Sequence, residues 1–139
     1  MNQFALLGYS GHAFVVADAI RMRGDSIIGY YDRAKAIIDP FDLVYLGDDK
    51  DNVALSKIAN SRANFFVSIG DNSIRNKLIR QLTEKGFTTT SVIHPTSIIS
   101  TLATIGAGSF VAAGAIINPL AKVGIGAIIN TGAIVEHEC

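Results

Sequence analysis

The 139-residue sequence contains one cysteine, Cys139, and no tryptophan. A single cysteine excludes an internal disulfide framework and a thiolate metal site, and we expect a reducing, cytoplasmic compartment. An excess of charge of one sign is also lacking, because 12 basic and 12 acidic side chains cancel without a run of like charges. This balance disfavours nucleic acid and anionic membrane surfaces as partners, since both are bound by clustered cations.

Targeting and membrane signals are lacking as well. The N-terminus has neither a basic stretch nor a continuous apolar segment, so it does not resemble a signal peptide. Residues 115–135 are apolar enough to suggest a membrane span. Four residues interrupt this segment, namely Asn118, Pro119, Lys122 and Asn130. A six-residue rhythm also runs through it, and we therefore predict that no segment crosses a membrane.

That rhythm defines the C-terminal third of the chain. An aliphatic residue occupies every sixth position, and a small residue follows four positions after each one. The aliphatic positions are Ile93, Ile99, Ile105, Val111, Ile117, Val123, Ile129 and Val135. An α-helix with about 3.6 residues per turn would point such positions to different faces, whereas short strands joined by tight corners return each one inward. The period therefore predicts a parallel β-helix over residues 91–139.

Residues 1–90 alternate between strand and helix patterns instead. Strands are predicted at Gln3–Leu7, Ser26–Tyr31 and residues 43–46, 64–69 and 87–93. In the helix that precedes Gly86, Ile74, Leu78 and Leu82 are predicted to share the buried face, and Gly86 to cap the C-terminus. Strands that alternate with helices predict a parallel sheet covered on both faces.

A turn of sequence GYSG, residues 8–11, joins the first strand to the first helix and is called the glycine turn below. Its backbone N–H groups and the helix N-terminus can bind a phosphate, and Asp32 at the end of the second strand can bind a ribose hydroxyl. The complete G-x-G-x-x-G fingerprint is missing, so a tight turn without a ligand has nearly equal support. A mononucleotide is favoured over a dinucleotide, because the sheet is short.

Three histidines are candidates for chemistry. His94 precedes a proline, which favours extended backbone, so we interpret it as a structural corner residue. His12 either starts the first helix or donates to a ligand, with equal support for both. His137 lies between Glu136 and Glu138, whose carboxylates can fix its tautomer and raise its basicity, although a plain exposed segment also fits. One His, one Cys and adjacent acids on one strand would not close a zinc site, so no metal is predicted.

Five segments that together span the chain are LGYSGHA (7–13), IGYYD (28–32), LGD (46–48), SIGDN (68–72) with Arg75, and INTGAIVEHEC (129–139). In this order they resemble the hexapeptide-repeat acyltransferases of the sialic-acid O-acetyltransferase and nucleotide-amino-sugar N-acetyltransferase family. The resemblance implies a Rossmann-like N-terminal domain, residues 1–90, a left-handed parallel β-helix, residues 91–139, and a homotrimer.

The same resemblance implies a function, namely acetyl transfer from acetyl-CoA to a sugar or a UDP-linked amino sugar in surface glycan biosynthesis. His137 matches the general base of the family, Glu138 matches the carboxylate that orients it, and Asn130 would lie near the acceptor group. The substrate would lie in the N-terminal domain, around Gly8, Ser10, Gly11, His12, Asp32, Gly70 and Asp71.

Family members continue for several coils beyond the motif at residues 136–139, and their acetyl-CoA groove lies largely along those coils. Eight six-residue units supply only about two and a half three-sided coils here. We therefore expect a truncated β-helix that keeps the sugar-nucleotide site and has little acetyltransferase activity. Two other functions stay open: a non-catalytic nucleotide-sugar-binding module with a trimerisation stem, and a nicotinamide-dependent oxidoreductase, which would leave the repeat unused.

Overall fold

The computed structural model describes residues 1–60 and 62–139, without the side chains of residues 58 and 59. Its N-terminal part is an α/β unit whose four parallel strands lie in the order β3-β2-β1-β4. The elements are β1 (Gln3–Leu7), α1 (Gly11–Met22), β2 (Ser26–Tyr31), β3 (Tyr45–Gly47), α2 (Asn52–Ala59), β4 (Asn64–Val67) and α3 (Asn72–Glu84). The predicted parallel α/β sheet is thus confirmed.

Three predicted strands are shorter than expected. The strand predicted at residues 64–69 ends at Val67. The strand predicted at residues 43–46 forms instead at Tyr45–Gly47, because the Leu43 N–H donates to the Asp39 carboxylate at 3.1 Å rather than to a neighbouring strand. The strand predicted at 87–93 is reduced to one parallel bridge between Phe65 and Thr89, followed by a separate two-residue strand. At this point the chain leaves the α/β sheet for the second region.

The buried face of α3 also differs from its prediction. Arg75, Ile79 and Leu82 are buried, whereas Ile74 is 48 % exposed. The apolar spacing alone had favoured Ile74, but α3 packs both on the sheet and on the second region, which rotates its contact face. The predicted cap is confirmed, because Gly86 has a φ of +78° and donates its N–H to the Thr83 carbonyl at 3.0 Å.

The second region is a parallel β-helix, as predicted. Its two-residue strands are β5 (Val92–Ile93), β6 (Ile98–Ile99), β7 (Thr104–Ile105), β8 (Phe110–Val111), β9 (Ile116–Ile117), β10 (Lys122–Val123), β11 (Ile128–Ile129) and β12 (Ile134–Val135). They form three parallel sheets, β5-β8-β11, β6-β9-β12 and β7-β10. In each sheet a residue pairs with the one three hexapeptides later in sequence, for example Ile93 with Val111.

The interior of the β-helix is a stack of the predicted aliphatic residues. All eight belong to a single cluster, which the small residues Ala103, Ala115, Ala121 and Ala127 complete. Val111 and Ile117, in the middle coil, are no more than 1 % exposed. From Ile93 to Ile117, each aliphatic residue is covered by the equivalent residue of the next coil. This is how a repeat unit buries an apolar face that it cannot bury alone.

The three outer faces of the β-helix differ. The β5-β8-β11 face packs on the α/β region, where Val92 and Phe110 enter the same core cluster as Phe4 and Tyr30. The β6-β9-β12 face, called the free face below, points apolar side chains outward: Ile98, Ile116 and Ile134. The β7-β10 face carries Thr104 and Lys122.

His94 lies between β5 and β6, where its Nδ1 accepts the Thr96 N–H at 3.1 Å and its side chain is buried. This contact confirms the interpretation of His94 as a corner residue. None of the helices in the described part of the chain is long and apolar enough to cross a bilayer.

Candidate functional site

The glycine turn is fixed to the end of β2 and to the segment that follows β4. The Gly8 N–H donates to the Tyr31 carbonyl at 2.8 Å, and the Gly8 carbonyl accepts the Ser68 hydroxyl at 2.6 Å. Gly8 has a φ of +90°, and a Cβ at this position would lie 2.5 Å from Cγ1 of Ile69. Only glycine satisfies both the conformation and the space, so the turn is held against the segment that follows β4.

Asp32 ties the glycine turn to the end of β2. Its Oδ2 accepts the Tyr9 N–H at 3.0 Å, and its Oδ1 accepts the Arg33 N–H at 2.7 Å. Each carboxylate oxygen can accept more than one hydrogen bond, so Asp32 keeps capacity for a ligand hydroxyl. The predicted ribose contact is compatible with this arrangement and stays a prediction.

At the start of α1, the N-cap side chain does not cap the helix. Ser10 is the N-cap residue, but its exposed side chain makes no capping hydrogen bond. Gly11 opens the helix, and a Cβ there would meet nothing within 4 Å. A helix N-terminus presents unpaired N–H groups and a partial positive charge, which is the arrangement that binds a phosphate.

His12 stands one residue further on and is half-buried. Its ring packs edge-on against Phe110 of β8, with centroids 5.4 Å apart, and its buried Nε2 has no hydrogen-bond partner among the described residues. Burial, and then the positive charge of Arg75, lower the pKa of His12 below its ordinary value. Both effects favour the neutral imidazole, one of whose ring nitrogens is buried without a partner in the described part of the chain.

The β4–α3 loop, residues 68–71, completes this side of the molecule. A Cβ on Gly70 would lie 3.8 Å from the His12 Cβ, so the loop runs beside the glycine turn. Asp71 caps α3 by accepting the Ile74 N–H at 2.9 Å. The structure thus brings the predicted residues Gly8, His12 and Gly70 together through their neighbours.

Ser68 and Arg75 also belong to this arrangement, although neither was among the predicted site residues. The Ser68 hydroxyl holds Gly8, and Arg75 donates to the Ile69 and Gly70 carbonyls. Both lie in the SIGDN segment and its flank, which carried the family resemblance. That segment was the signal by which they could have been found.

The His137–Glu138 pair lies on the β-helix and is open to solvent. Nδ1 of His137 and Oε2 of Glu138 are 3.2 Å apart, and the side chains are 69 % and 70 % exposed. A carboxylate can only accept, so Nδ1 donates and Nε2 is left as a proton acceptor. The backbone of this pair is anchored to the preceding coil, because the Glu138 N–H donates to the Pro119 carbonyl at 3.2 Å.

Asn130 lies exposed at the preceding corner, where its carbonyl accepts the Ala133 N–H at 3.0 Å. Within the described ranges, no hydrogen bond joins Asn130 or the His137–Glu138 pair to the glycine turn. Glu138 also borders an open groove of about 340 Å³, whose other lining residues are Leu102, Thr104, Leu120, Ala121 and Lys122. In the same ranges no group of three or more His, Cys, Asp or Glu side chains is placed to hold a metal ion.

The PglD N-terminal domain family matches residues 3–82, more than half of the chain. The chain belongs to this family of sugar acetyltransferases. A curated relative, UDP-N-acetylbacillosamine N-acetyltransferase of Bacillus subtilis (strain 168), is 33% identical over 119 residues, which cover 81% of this chain and 52% of the relative.

Solved structures of two relatives have the same fold. The acetyltransferase domain of PglB from Neisseria gonorrhoeae FA1090, in complex with acetyl coenzyme A, matches with a TM-score of 0.87 and 29% identity, over 99% of this chain and 66% of that one. PerB from Caulobacter crescentus, in complex with CoA and GDP-perosamine, matches with a TM-score of 0.88 and 34% sequence identity. The match covers 100% of this chain and 65% of PerB. The chain therefore spans about half of the curated relative and about two thirds of these structures.

These similarities confirm the predicted resemblance and the combination of an α/β region with a parallel β-helix. The PglD family match ends at residue 82, so it covers the α/β region but not the repeat. The roles of individual side chains and the boundary at residue 90 stay predictions.

Proposed function

We propose that this chain carries the nucleotide-sugar site and the general base of an acetyl-CoA-dependent N-acetyltransferase that acts on a nucleotide-linked amino sugar. The observation that supports this most directly is the contact between Nδ1 of His137 and Glu138, which leaves Nε2 free to accept a proton. The curated relative is named as an N-acetyltransferase of a UDP-linked sugar, PglB was solved with acetyl coenzyme A, and PerB was solved with CoA and GDP-perosamine. These names and ligands favour an amine over a hydroxyl acceptor.

In the proposed reaction, Nε2 of His137 removes a proton from the sugar amine as its nitrogen attacks the thioester carbonyl carbon of acetyl-CoA. A backbone N–H stabilises the oxyanion that forms. When the carbon–sulfur bond breaks, the imidazolium returns the proton to the leaving thiolate. Glu138 holds the ring orientation and stabilises the imidazolium, and Asn130 lies near the acceptor amine.

The α/β region would hold the nucleotide sugar by groups that the fold leaves unused. The N–H groups at the start of α1 and the Ser10 hydroxyl suit the diphosphate. Nε2 of His12, buried and unsatisfied, suits a ligand oxygen or hydroxyl. Asp32 retains acceptor capacity for the ribose, and Gly70 and Asp71 border the same space.

The proposed assembly is a homotrimer of left-handed β-helices, the arrangement that the family resemblance implies. Its support in this chain is the free face, where Ile98 and Ile134 are 65 % and 60 % exposed. Apolar ladders on a flat sheet face gain stability when a second copy covers them.

Binding experiments test the proposal without requiring turnover. The chain is titrated separately with a UDP-linked amino sugar, a GDP-linked amino sugar, free sialic acid and acetyl-CoA, and the heat of binding is measured. Binding of a nucleotide amino sugar is expected. Binding of free sialic acid alone would replace the proposal by O-acetylation of that sugar.

Replacement of the general base tests the chemistry. In an active protein that contains this chain, His137→Ala is expected to lower turnover by roughly a hundred- to ten-thousandfold, the usual contribution of a general base, and to leave the affinity for the nucleotide sugar unchanged. Thiol release from acetyl-CoA measures the rate. Glu136→Gln is the matched control, because the Glu136 carboxylate contacts Asn118 rather than His137, and it should keep the parent rate. An active chain whose rate survives His137→Ala would exclude His137 as the base.

A second function has one observation in its favour. The His137–Glu138 side chains are largely exposed and make one mutual contact, so this region alone does not exclude water from them. A non-catalytic nucleotide-sugar-binding module would have the same structure. Nucleotide-sugar binding without thiol release, in a folded protein that contains this chain and binds acetyl-CoA, would favour this alternative.

A further inference from the structure

Arg75 joins the two regions of the molecule. It lies in the first turn of α3, is 5 % exposed, and directs four side-chain hydrogen bonds to neutral acceptors. Nε donates to the Gly126 carbonyl at 2.7 Å, Nη1 to the Ile69 and Gly70 carbonyls at 3.0 and 2.9 Å, and Nη2 to Oδ1 of Asn72 at 2.6 Å.

A buried guanidinium is costly unless its donors are satisfied. Here every donor nitrogen finds an acceptor, yet no carboxylate in the described part of the chain forms an ion pair with Arg75. Burial lowers the pKa of Arg75, and the nearby charge of Asp71 partly offsets this effect. An apolar side chain would fill the space with a smaller desolvation cost. Only the planar guanidinium, however, can hold several carbonyls in fixed directions at once.

Three of the four acceptors of Arg75 lie at two places that matter for the proposed reaction. Ile69 and Gly70 belong to the β4–α3 loop, which runs beside His12. Gly126 lies at a corner of the β-helix that leads into β11 and then to Asn130. The Arg75 side chain therefore contacts both the β4–α3 loop, which borders the predicted substrate site, and the β-helix coil that carries Asn130, the predicted contact of the acceptor group.

A second contact specifies the same approach. Ile79, one turn after Arg75, lies so close to the β-helix that a Cβ on Gly126 would be 2.6 Å from its Cδ1. Gly126 also has a φ of +65°, which disfavours any other residue. The close approach of α3 to this corner is thus set by an apolar contact and by a hydrogen bond.

We infer that Arg75 is a positioning residue that fixes the β4–α3 loop against the β-helix coil carrying Asn130. Its importance for catalysis rests on the proposed function, in which the loop holds the nucleotide sugar and the coil approaches the acceptor amine. A misplacement of about 1 Å can reduce an enzymatic rate by roughly a hundredfold, so a rigid link between the two is valuable.

The rigidity of the connection between the β4–α3 loop and the β-helix can be measured as a distance between two labels, without an activity assay. Cys139 is exposed and is the only cysteine, so it accepts one spin label next to the His137–Glu138 pair. A second label is introduced by Ser73→Cys, at an exposed position just after the loop. Pulsed electron resonance then gives the distribution of label distances in the parent, in Arg75→Met and in Arg75→Lys.

Both Arg75 variants are expected to broaden the distribution, because lysine keeps the charge but cannot hold several carbonyls at once. Arg80→Met, a change on the exposed side of the same helix, should leave it unchanged. Thermal unfolding checks that each variant is folded. If Arg75→Met does not fold, the distance distribution of Arg75→Lys alone tests the inference. A distribution as narrow as the parent's in a folded Arg75 variant would overturn the inference.

Calorimetry on the same proteins separates this inference from the proposed function. A UDP-linked amino sugar should bind Arg75→Met about tenfold more weakly than the parent, the effect of losing charge-assisted hydrogen bonds that order the loop. If the parent binds no nucleotide sugar, the proposed function fails, while the label distances still decide whether Arg75 fixes the loop. Unchanged affinity in a variant with a broadened distance would show that the loop does not serve binding.

Discussion

The α/β region and the β-helix build their interiors in different ways. The α/β core is assembled from large side chains of different strands, among them Phe4, Tyr30 and Phe66, all at most 1 % exposed. The β-helix core repeats one aliphatic residue per hexapeptide and stacks it on its own equivalents. The α/β interior depends on packing between different residues that are distant in sequence. The β-helix interior depends on one aliphatic position that recurs in eight hexapeptides.

The candidate site residues of the two regions differ in the same way. In the α/β region, Gly8, Asp32 and Asp71 are each held by hydrogen bonds to other segments or to a helix end. On the β-helix, the side chains of His137 and Glu138 contact each other and are about 70 % exposed. The comparison indicates that the proposed binding half is organised by its own fold. The proposed general base is instead positioned by its backbone alone, so its chemistry would depend on what covers it.

The strongest test of this comparison is the residue where the two interiors meet. Phe110 is 1 % exposed and packs against Phe66 and His12. Phe110→Ala is expected to lower the free energy of unfolding by about 3–5 kcal/mol, because the cavity opens in a core that both regions share. Denaturant unfolding followed by circular dichroism measures the loss, and a single transition is expected.

Ile98→Ala is the matched control for Phe110→Ala. Ile98 occupies the same position of the hexapeptide but lies on the free face and is 65 % exposed. Measured at concentrations where the chain is monomeric, it should change the free energy of unfolding by less than about 0.5 kcal/mol. Similar losses for the two variants, or two separate transitions, would mean that the regions are independent.

A smaller effect distinguishes two helix starts within the α/β region. Asp71→Ala removes the cap of α3 and is expected to cost about 1 kcal/mol of stability, whereas Ser10→Ala should cost little because its hydroxyl makes no capping bond. The nucleotide-sugar affinity should fall for Ser10→Ala, since its hydroxyl is available to the ligand. Thermal unfolding and calorimetry on both variants check this, and a stability loss for Ser10→Ala without an affinity loss would make Ser10 a structural residue.

The β-helix could be predicted residue by residue because its environment repeats. Each of the eight aliphatic positions pairs with an equivalent position one coil away, so the period alone determines which side chains point inward. The contact between His137 and Glu138 was expected only from the family resemblance, because Glu136 is equally adjacent to His137 in the sequence.

The sequence was less informative where unlike segments meet. Apolar spacing placed Ile74 on the buried face of α3, but the helix packs on a β-helix corner and buries Arg75 instead. Arg75 and Gly126 are 51 residues apart, and no local pattern shows that they are in contact. The orphaned Nε2 of His12 is likewise a consequence of packing against Phe110, which is distant in sequence.

The smallest expected effect concerns that histidine. The pKa of His12 is lowered in the folded chain, first by burial and then by the charge of Arg75. As the pH falls below 6.5, the ordinary value, the unfolded chain therefore takes up this proton before the folded chain does. The stability due to neutral His12 is fully present above that pH and is lost as the pH falls toward the folded pKa.

His12→Gln should accordingly flatten the dependence of the free energy of unfolding on pH below 6.5, relative to the parent. Arg75→Met should flatten it partially, because one of the two causes of the lowered pKa is removed while burial remains. Denaturant unfolding at a series of pH values measures the slopes. If the parent and His12→Gln have equal slopes, His12 is not held neutral by its surroundings, and the α/β site is less rigidly organised than its hydrogen bonds indicate.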